Sequence, residues 1–249
     1  MDNEFIGGRH SVLEALRSGR AIHKIWIAEQ SQKTGVQAIY DAAKQAGIII
    51  QQVDKRKCDE LLPGVQHQGV VAQVAAYQYA DLEDLFRIAS ERKQDPFFLI
   101  LDEIEDPHNL GSILRTAECA GVHGVIIPKR RAVGLTATVS KISAGAAEHI
   151  AVVRVTNLAQ TIDELKKRGV WVAASDVAHA QEVYQTDLCM PIAIVIGNEG
   201  KGVGRLIKER CDFALKLPMH GRINSLNASV AASLFMYEVV RQRGFGKRD

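Results

Sequence analysis

Between residues 197 and 204 the chain reads Gly-Asn-Glu-Gly-Lys-Gly-Val-Gly, four glycines in eight residues. The spacing is neither that of a phosphate loop, GxxxxGK followed by Ser or Thr, nor that of the GxGxxG dinucleotide fingerprint. Glycines still let bare backbone N–H and C=O groups approach a ligand and accept positive φ angles, so the loop reads as a ligand contact in preference to a plain turn. A second candidate is the stretch from Asp102 to Gly121, where Asn109 is placed to cap a helix with Leu110, Ile113, Leu114 and Ala117 on its apolar face. Arg115 lies off that face. It is either an exposed, ion-paired arginine or one aimed at a phosphate. The third candidate runs from Pro218 to Ser229. Ser225 is the expected N-cap of a last helix, with Val230, Leu234 and Tyr237 on one face and Ala228, Ala231 and Ala232 allowing close approach elsewhere. Asn227 in the first turn is an amide that needs partners if it is buried. The eight histidines form no Ser/His/Asp set and no HExxH motif, and His108 and His220 receive no catalytic role. The four cysteines are far apart, with neither a CxxC pair nor a histidine at ligand spacing, which indicates neither a disulfide framework nor a zinc site.

These loops must be positioned by regular elements. From Phe97 onward strands and helices alternate, with strands expected at Phe97–Leu101, Val125–Ile127, Ile150–Val155, Val170–Ala174, Ala193–Ile196 and Ala214–Leu217. The helices expected between and after them are Leu110–Ala120, Thr136–Ala147, Leu158–Arg168, Val203–Arg210 and Ser225–Arg243. Such alternation specifies a mostly parallel sheet covered by helices, whose ligands sit beyond the carboxyl ends of the strands. The loops after Leu101, Ala174, Ile196 and Leu217 are therefore the places for chemistry. Upstream, residues 8–74 read as a separate small α/β unit: a helix around Val12, Leu13 and Leu16, a strand at Lys24–Ala28, a helix at Thr34–Ala46, the run Ile48–Ile50 and a strand at Val70–Ala76. The stretch from Tyr77 to Asp95 carries no strand signal and reads as a linker with a helix at Leu82–Arg92.

The chain has 249 residues, 47% apolar and 24% charged, which excludes a disordered or collagen-like protein. No apolar run approaches the roughly 18 residues of a membrane span, and the N-terminus lacks a cationic region followed by an apolar one. The expected location is cytoplasmic. A net charge of +2 does not by itself mark a polyanion-binding protein, and residues 1–80 hold 9 Lys and Arg against 8 Asp and Glu. Non-specific phosphate attraction there is expected to be weak, so recognition of a polyanion would rest on local patches, for which Arg9 and His10 and the triplet Lys55-Arg56-Lys57 are candidates.

The segments DPHNLGSILRTAECAG, IVIGNEGKGV and LPMHGRINSLNASVAAS resemble, in order and spacing, the three motifs of the SpoU/TrmH family of S-adenosylmethionine-dependent RNA 2′-O-ribose methyltransferases. FIGGRHSVLEAL resembles the opening of the L30e-like domain of RlmB-type 23S rRNA methyltransferases. The resemblance implies an α/β fold with a trefoil-knotted, mostly parallel C-terminal sheet and a smaller N-terminal L30e-like domain. It places an RNA substrate-binding domain at 1–76, a linker at 77–95 and a catalytic domain at 96–249. It further implies a homodimer, no metal, and RNA as partner, a guanosine of 23S rRNA in preference to tRNA. Carried over by position, Arg115, Asn109, Glu199, Ser225 and Asn227 are the catalytic set. Gly197, Leu217 and Leu226, with Ile196 and Met219, form the donor pocket. A ribosome-assembly protein that had lost catalysis could have dropped Arg115 or Asn227, and both are present. Arginine keeps its proton far above neutral pH and is a poor base. A substrate phosphate could polarise Arg115, or Arg115 could stabilise the developing alkoxide while water takes the proton.

Overall fold

The computed structural model describes residues 3–31, 33–176, 180–223 and 225–244, so the outermost residues of the two expected domains lie outside the described residues. Packing divides the chain into two units: residues 1–78 with 110–115 and 134–149, and residues 79–109 with 116–133 and 150–249.

The first unit contains β1 (Asn3–Gly7), α1 (Arg9–Arg17), β2 (Ile22–Ala28), α2 (Lys33–Gln45), β3 (Ile50–Val53), α3 (Lys55–Leu61) and β4 (Val70–Ala75). The sheet order is β1-β4-β2-β3, with β4 antiparallel to both neighbours and β2 parallel to β3. Val12, Ala15, Ile25, Ile27, Ile39 and Val74 pack into one core. Three features depart from the sequence reading. β1 precedes the first helix, too short and too mixed in polarity to register as a strand. The isoleucine run is mostly loop, with Ile49 70% exposed, because the strand starts only at Ile50 on the sheet edge. The basic triplet forms the first turn of α3, which the Asp54 carboxylate caps by accepting from Arg56 N at 2.8 Å.

The remaining elements are α4 (Leu82–Glu91), β5 (Phe97–Leu101), α5 (Pro107–Cys119), β6 (Gly124–Pro128), α6 (Ala137–Ile142), β7 (Val152–Val155), α7 (Leu158–Lys167), β8 (Trp171–Ser175), β9 (Gln181–Glu182), β10 (Ile192–Ile196), α8 (Arg205–Arg210), β11 (Phe213–Lys216) and α9 (Ala228–Gln242). In the second unit a seven-stranded sheet runs β7-β6-β5-β10-β8-β11-β9 with every pair parallel. The central strands β5 (FFLIL) and β10 (IAIVI) are buried along their whole length, as apolar runs covered on both faces must be. The register pairs Leu101 with Ile196, Val195 with Ala174 and Leu215 with Ser175, which lines up the carboxyl ends of β5, β10, β8 and β11.

Several expected helix features are corrected. Asp106, not Asn109, caps α5, accepting from His108 N at 2.9 Å with Pro107 in the first turn. The expected helix at 136–147 is the short α6 followed by a 3-10 turn, because Ala144 and Gly145 adopt φ of 51° and 88° and break the ladder. The cap of α9 is Asn227, not Ser225. The face with Val230, Leu234 and Tyr237 is the outer one, 47%, 40% and 42% exposed, and Ala228, Ala232, Phe235, Met236 and Val239 form the buried face of α9.

At the amino end of β5, buried His123 accepts from Phe97 N through Nδ1 at 3.0 Å, so its hydrogen sits on Nε2 and is donated to Gln94 Oε1 at 3.0 Å. Burial above all, then the charges of Arg92 and Arg243, depresses its pKa from 6.5 to about 4. The unfolded chain takes up this proton first, so the stability that neutral His123 contributes is lost as pH falls from about 6.5 towards about 4. Urea unfolding across that window should show falling stability for the wild type and a shallower fall for His123→Gln. Parallel pH dependences for the two proteins would contradict the assignment.

Candidate active site

The loop after β10 is closed on itself. Asn198 and Gly202 exchange backbone hydrogen bonds, Asn198 N to Gly202 O at 3.2 Å and Gly202 N to Asn198 O at 2.8 Å. The Asn198 side chain accepts from Gly200 N at 2.9 Å and Lys201 N at 3.3 Å and donates to Glu103 O at 3.2 Å. A Cβ at Gly197 would collide with the backbone of Gly202 and Val203, while Gly202 has a φ of 68°. Three of the four glycines thus have reasons internal to the loop, since Gly204 also packs within 3.1 Å, measured from an added Cβ, of Asp102 Oδ2. Gly200 alone meets only a distant Asn198 oxygen, at 3.5 Å.

Asp102, directly after β5, was not singled out from the sequence. It is 8% exposed, accepts from Gly204 N at 2.8 Å and has its pKa raised by burial, partly offset by that N–H. It anchors the far end of the glycine loop to the neighbouring strand. A lone aspartate after a strand carries no spacing signal that would have revealed this.

Three segments distant in sequence meet at Glu199. Its Oε1 accepts from Asn109 Nδ2 at 3.1 Å, from Ala228 N at 3.1 Å and from Asn227 Nδ2. Asn227 Nδ2 also donates to Asn109 Oδ1 at 2.9 Å, while Asn227 Oδ1 accepts from Ser229 N at 3.0 Å and Val230 N at 3.3 Å. Because that oxygen must face the helix N–H groups, the amide of Asn227 must face the two acceptors. The carboxylate also sits at the positive end of α9. Ser225 and Arg115 take no part in this cluster. Arg115 is exposed on α5, and its side chain forms no hydrogen bond or ion pair among the described residues.

Beside the cluster lies a cavity of about 320 Å³. Its apolar wall includes Ile196, Leu217, Met219, Leu226 and Phe235, Gly197 contributes bare backbone, and Ser225 and Glu199 also line it. Its polar end holds Asp176, paired with Lys208 at 2.6 Å. Asp176 follows a strand whose end the sequence marked, whereas Lys208 on α8 gave no signal.

Residues 96–237 match the profile of the SpoU rRNA Methylase family, and residues 5–80 match that of RNA 2′-O ribose methyltransferase substrate binding. The chain belongs to the SpoU/TrmH family of RNA methyltransferases. It is 57% identical over 241 residues to the Bacillus subtilis protein YacO, assigned to the TrmH family of tRNA/rRNA methyltransferases, covering 97% of this chain and 96% of that one. Its fold is similar to that of the SpoU methyltransferase AviRb from Streptomyces viridochromogenes in complex with AdoMet, with a TM-score of 0.80 at 25% identity over 98% of this chain and 92% of that one. It is also similar to the TrmH/SpoU tRNA modifying enzyme of A. aeolicus, with a TM-score of 0.55 at 28% identity over 65% of this chain and 83% of that one.

The loop geometry separates two roles of glycine in this SpoU-family site. Gly197→Val should lower the melting temperature of the free protein by several degrees, because the collision is with the loop backbone. Gly200→Ala should leave it within about one degree, consistent with surface substitutions worth about ±0.5 kcal/mol. Differential scanning calorimetry without ligand checks this, and equal melting temperatures for Gly197→Val and wild type would refute it.

Proposed function

We propose that the protein methylates a ribose 2′-hydroxyl of RNA with S-adenosylmethionine as donor, on a guanosine of 23S rRNA in preference to tRNA, and that it works as a homodimer. The observation that carries this is the cavity at the aligned strand ends, walled by the Glu199 cluster, in a chain that matches both a methylase and a substrate-binding profile. The lining fits the donor: Leu217, Leu226 and Met219 offer an apolar slot to an adenine, Ile196 and Gly197 offer backbone groups to its edge, and Asp176 offers a carboxylate to hydroxyl or ammonium groups. The donor supplies a methyl group on a positively charged sulfur. No metal enters the reaction we propose. The preference for rRNA is supported by the substrate-binding match at residues 5–80, whereas the likeness to the tRNA modifying enzyme spans only 65% of the chain.

The chain's own residues then have distinct tasks. Glu199 commits Oε1 to three N–H donors and acts as a positioning residue, holding Asn109 and Asn227 in place. Ser225 brings a hydroxyl to the cavity lining. Arg115 is permanently cationic and without an internal partner among the described residues, so it suits the stabilisation of negative charge developing on the 2′-oxygen while the proton passes to water. The exposed stripe of Val230, Leu234 and Tyr237 on α9 is the surface a second copy would cover.

Methyl-tritiated donor incubated with in vitro transcripts of 23S rRNA and of tRNAs, followed by nuclease digestion, tests the activity. Label is expected as 2′-O-methylguanosine in 23S rRNA. Label in tRNA alone would shift the substrate to the second reading, and label in neither would refute the activity. Arg115→Ala and Arg115→Lys should lose roughly 100-fold or more in turnover with donor affinity within twofold, because a point charge does not reproduce the planar guanidinium. Near-normal turnover in either variant would remove Arg115 from the catalytic set. In sedimentation velocity the wild type should run as a dimer and Leu234→Glu should shift it towards monomer, and a monomeric wild type would overturn that part of the proposal.

A further inference from the structure

Arg9 stands at the start of α1 with its Nε shielded from solvent and without a hydrogen-bond partner. Among the described residues its guanidinium forms no ion pair. The group rests against Gly35 in the first turn of α2, where a Cβ would come within 2.8 Å of Arg9 Cζ. Glycine costs a helix interior about 1 kcal/mol relative to alanine, and here its lack of a side chain leaves room for a cation. Lys141, in the same unit, has its pKa lowered by burial and then by the charge of Arg9. Two neighbouring, partly buried cations repel each other and favour an anion.

Arg9 also lines a cavity of about 360 Å³ with Lys55, Gln30, Gln66, His67 and Gln68. His67, 4% exposed, stiffens this wall by accepting from Gly69 N through Nδ1 at 3.0 Å and donating to Asp59 Oδ1 through Nε2 at 2.8 Å. Gln68 and Gly69 are thereby held at φ of 55° and 77°, and a non-glycine residue in that region is a strained conformation kept by its surroundings. Asp59, held by His67, sets one carboxylate against the two cations Arg9 and Lys55 in the lining, which leaves the local balance positive.

We propose that this cavity holds one unstacked nucleotide of the substrate RNA, with its phosphate on Arg9 and Lys55 and its base edge on the glutamine amides. Arginine and lysine position phosphates, an amide offers donor and acceptor together, and single-stranded RNA is read through splayed-out bases. The site lies within the stretch that matches the substrate-binding profile and rests on the reading of RNA as the substrate. It gives Arg9 and Lys55, two of the basic positions marked in the sequence, one shared task.

Full-length wild type, Arg9→Ala, Lys55→Ala and Gly35→Ala are compared for RNA affinity by filter binding, with in vitro transcripts of 23S rRNA fragments and tRNAs as probes. Methyl transfer and donor affinity are measured alongside. Arg9→Ala and Gly35→Ala should weaken RNA binding and raise the KM for RNA at least tenfold, with kcat and donor Kd within twofold. Gly35→Ala displaces the guanidinium while favouring the helix, so it should melt no lower than wild type and excludes misfolding as the cause. RNA affinities of Arg9→Ala and Lys55→Ala within twofold of wild type would overturn the proposal. A wild type that binds RNA but methylates none would refute the reaction proposed above, while the affinity comparison would still decide the cavity.

Discussion

One carboxylate oxygen, Oε1 of Glu199, holds together the three loops on which the site depends. It accepts an amide hydrogen from α5, one from the residue that caps α9 and a backbone N–H from the first turn of α9. A helix start leaves four N–H groups without internal partners. Here Asn227 Oδ1 takes those of Ser229 and Val230, and Glu199 takes that of Ala228. The bonds that end the helix are therefore the bonds that fix one wall of the cavity. A negative charge at this helix end adds roughly 0.3–1 kcal/mol. Removing Glu199 would break three hydrogen bonds at once and leave the bond from Asn227 Nδ2 to Asn109 Oδ1 as the remaining link of the cluster.

The sheet can support this because its central strands are buried on both faces and in register at their carboxyl ends. Asp102 and Glu103, immediately beyond β5, reach across to Gly204 and Asn198 in the loop beyond β10. Gly197 and Gly202, which the loop needs for closure, also line the cavity and leave its wall without a side chain there. Tight backbone geometry and a bare stretch of cavity wall are thus two results of one composition.

The strand and helix alternation from Phe97 was legible because parallel strands read as apolar runs and the helices between them have a clear polar face. The loops that carry the candidate site were marked by their place after strands. Helix starts were less so. Asn109 and Ser225 are good capping residues by type, but Asp106 precedes a proline suited to the first turn, and Asn227 reaches two N–H groups of α9 directly. The same bond geometry shows that capping explains much of Asn227, which type alone did not reveal. Asp102 and the Asp176–Lys208 pair were illegible because their partners lie on elements that only the sheet order brings together. Periodicity set Val230, Leu234 and Tyr237 on one face of α9 without giving its direction, and the side with Ala228 and Ala232 is the buried one.

The central claim is that the Glu199 cluster shapes the donor cavity. Titration calorimetry of S-adenosylmethionine against wild type and Glu199→Ala tests it most directly, with far-UV circular dichroism showing that both proteins are folded. The account predicts that wild type binds the donor and that Glu199→Ala binds it at least tenfold more weakly. Equal affinity in two folded proteins would contradict it.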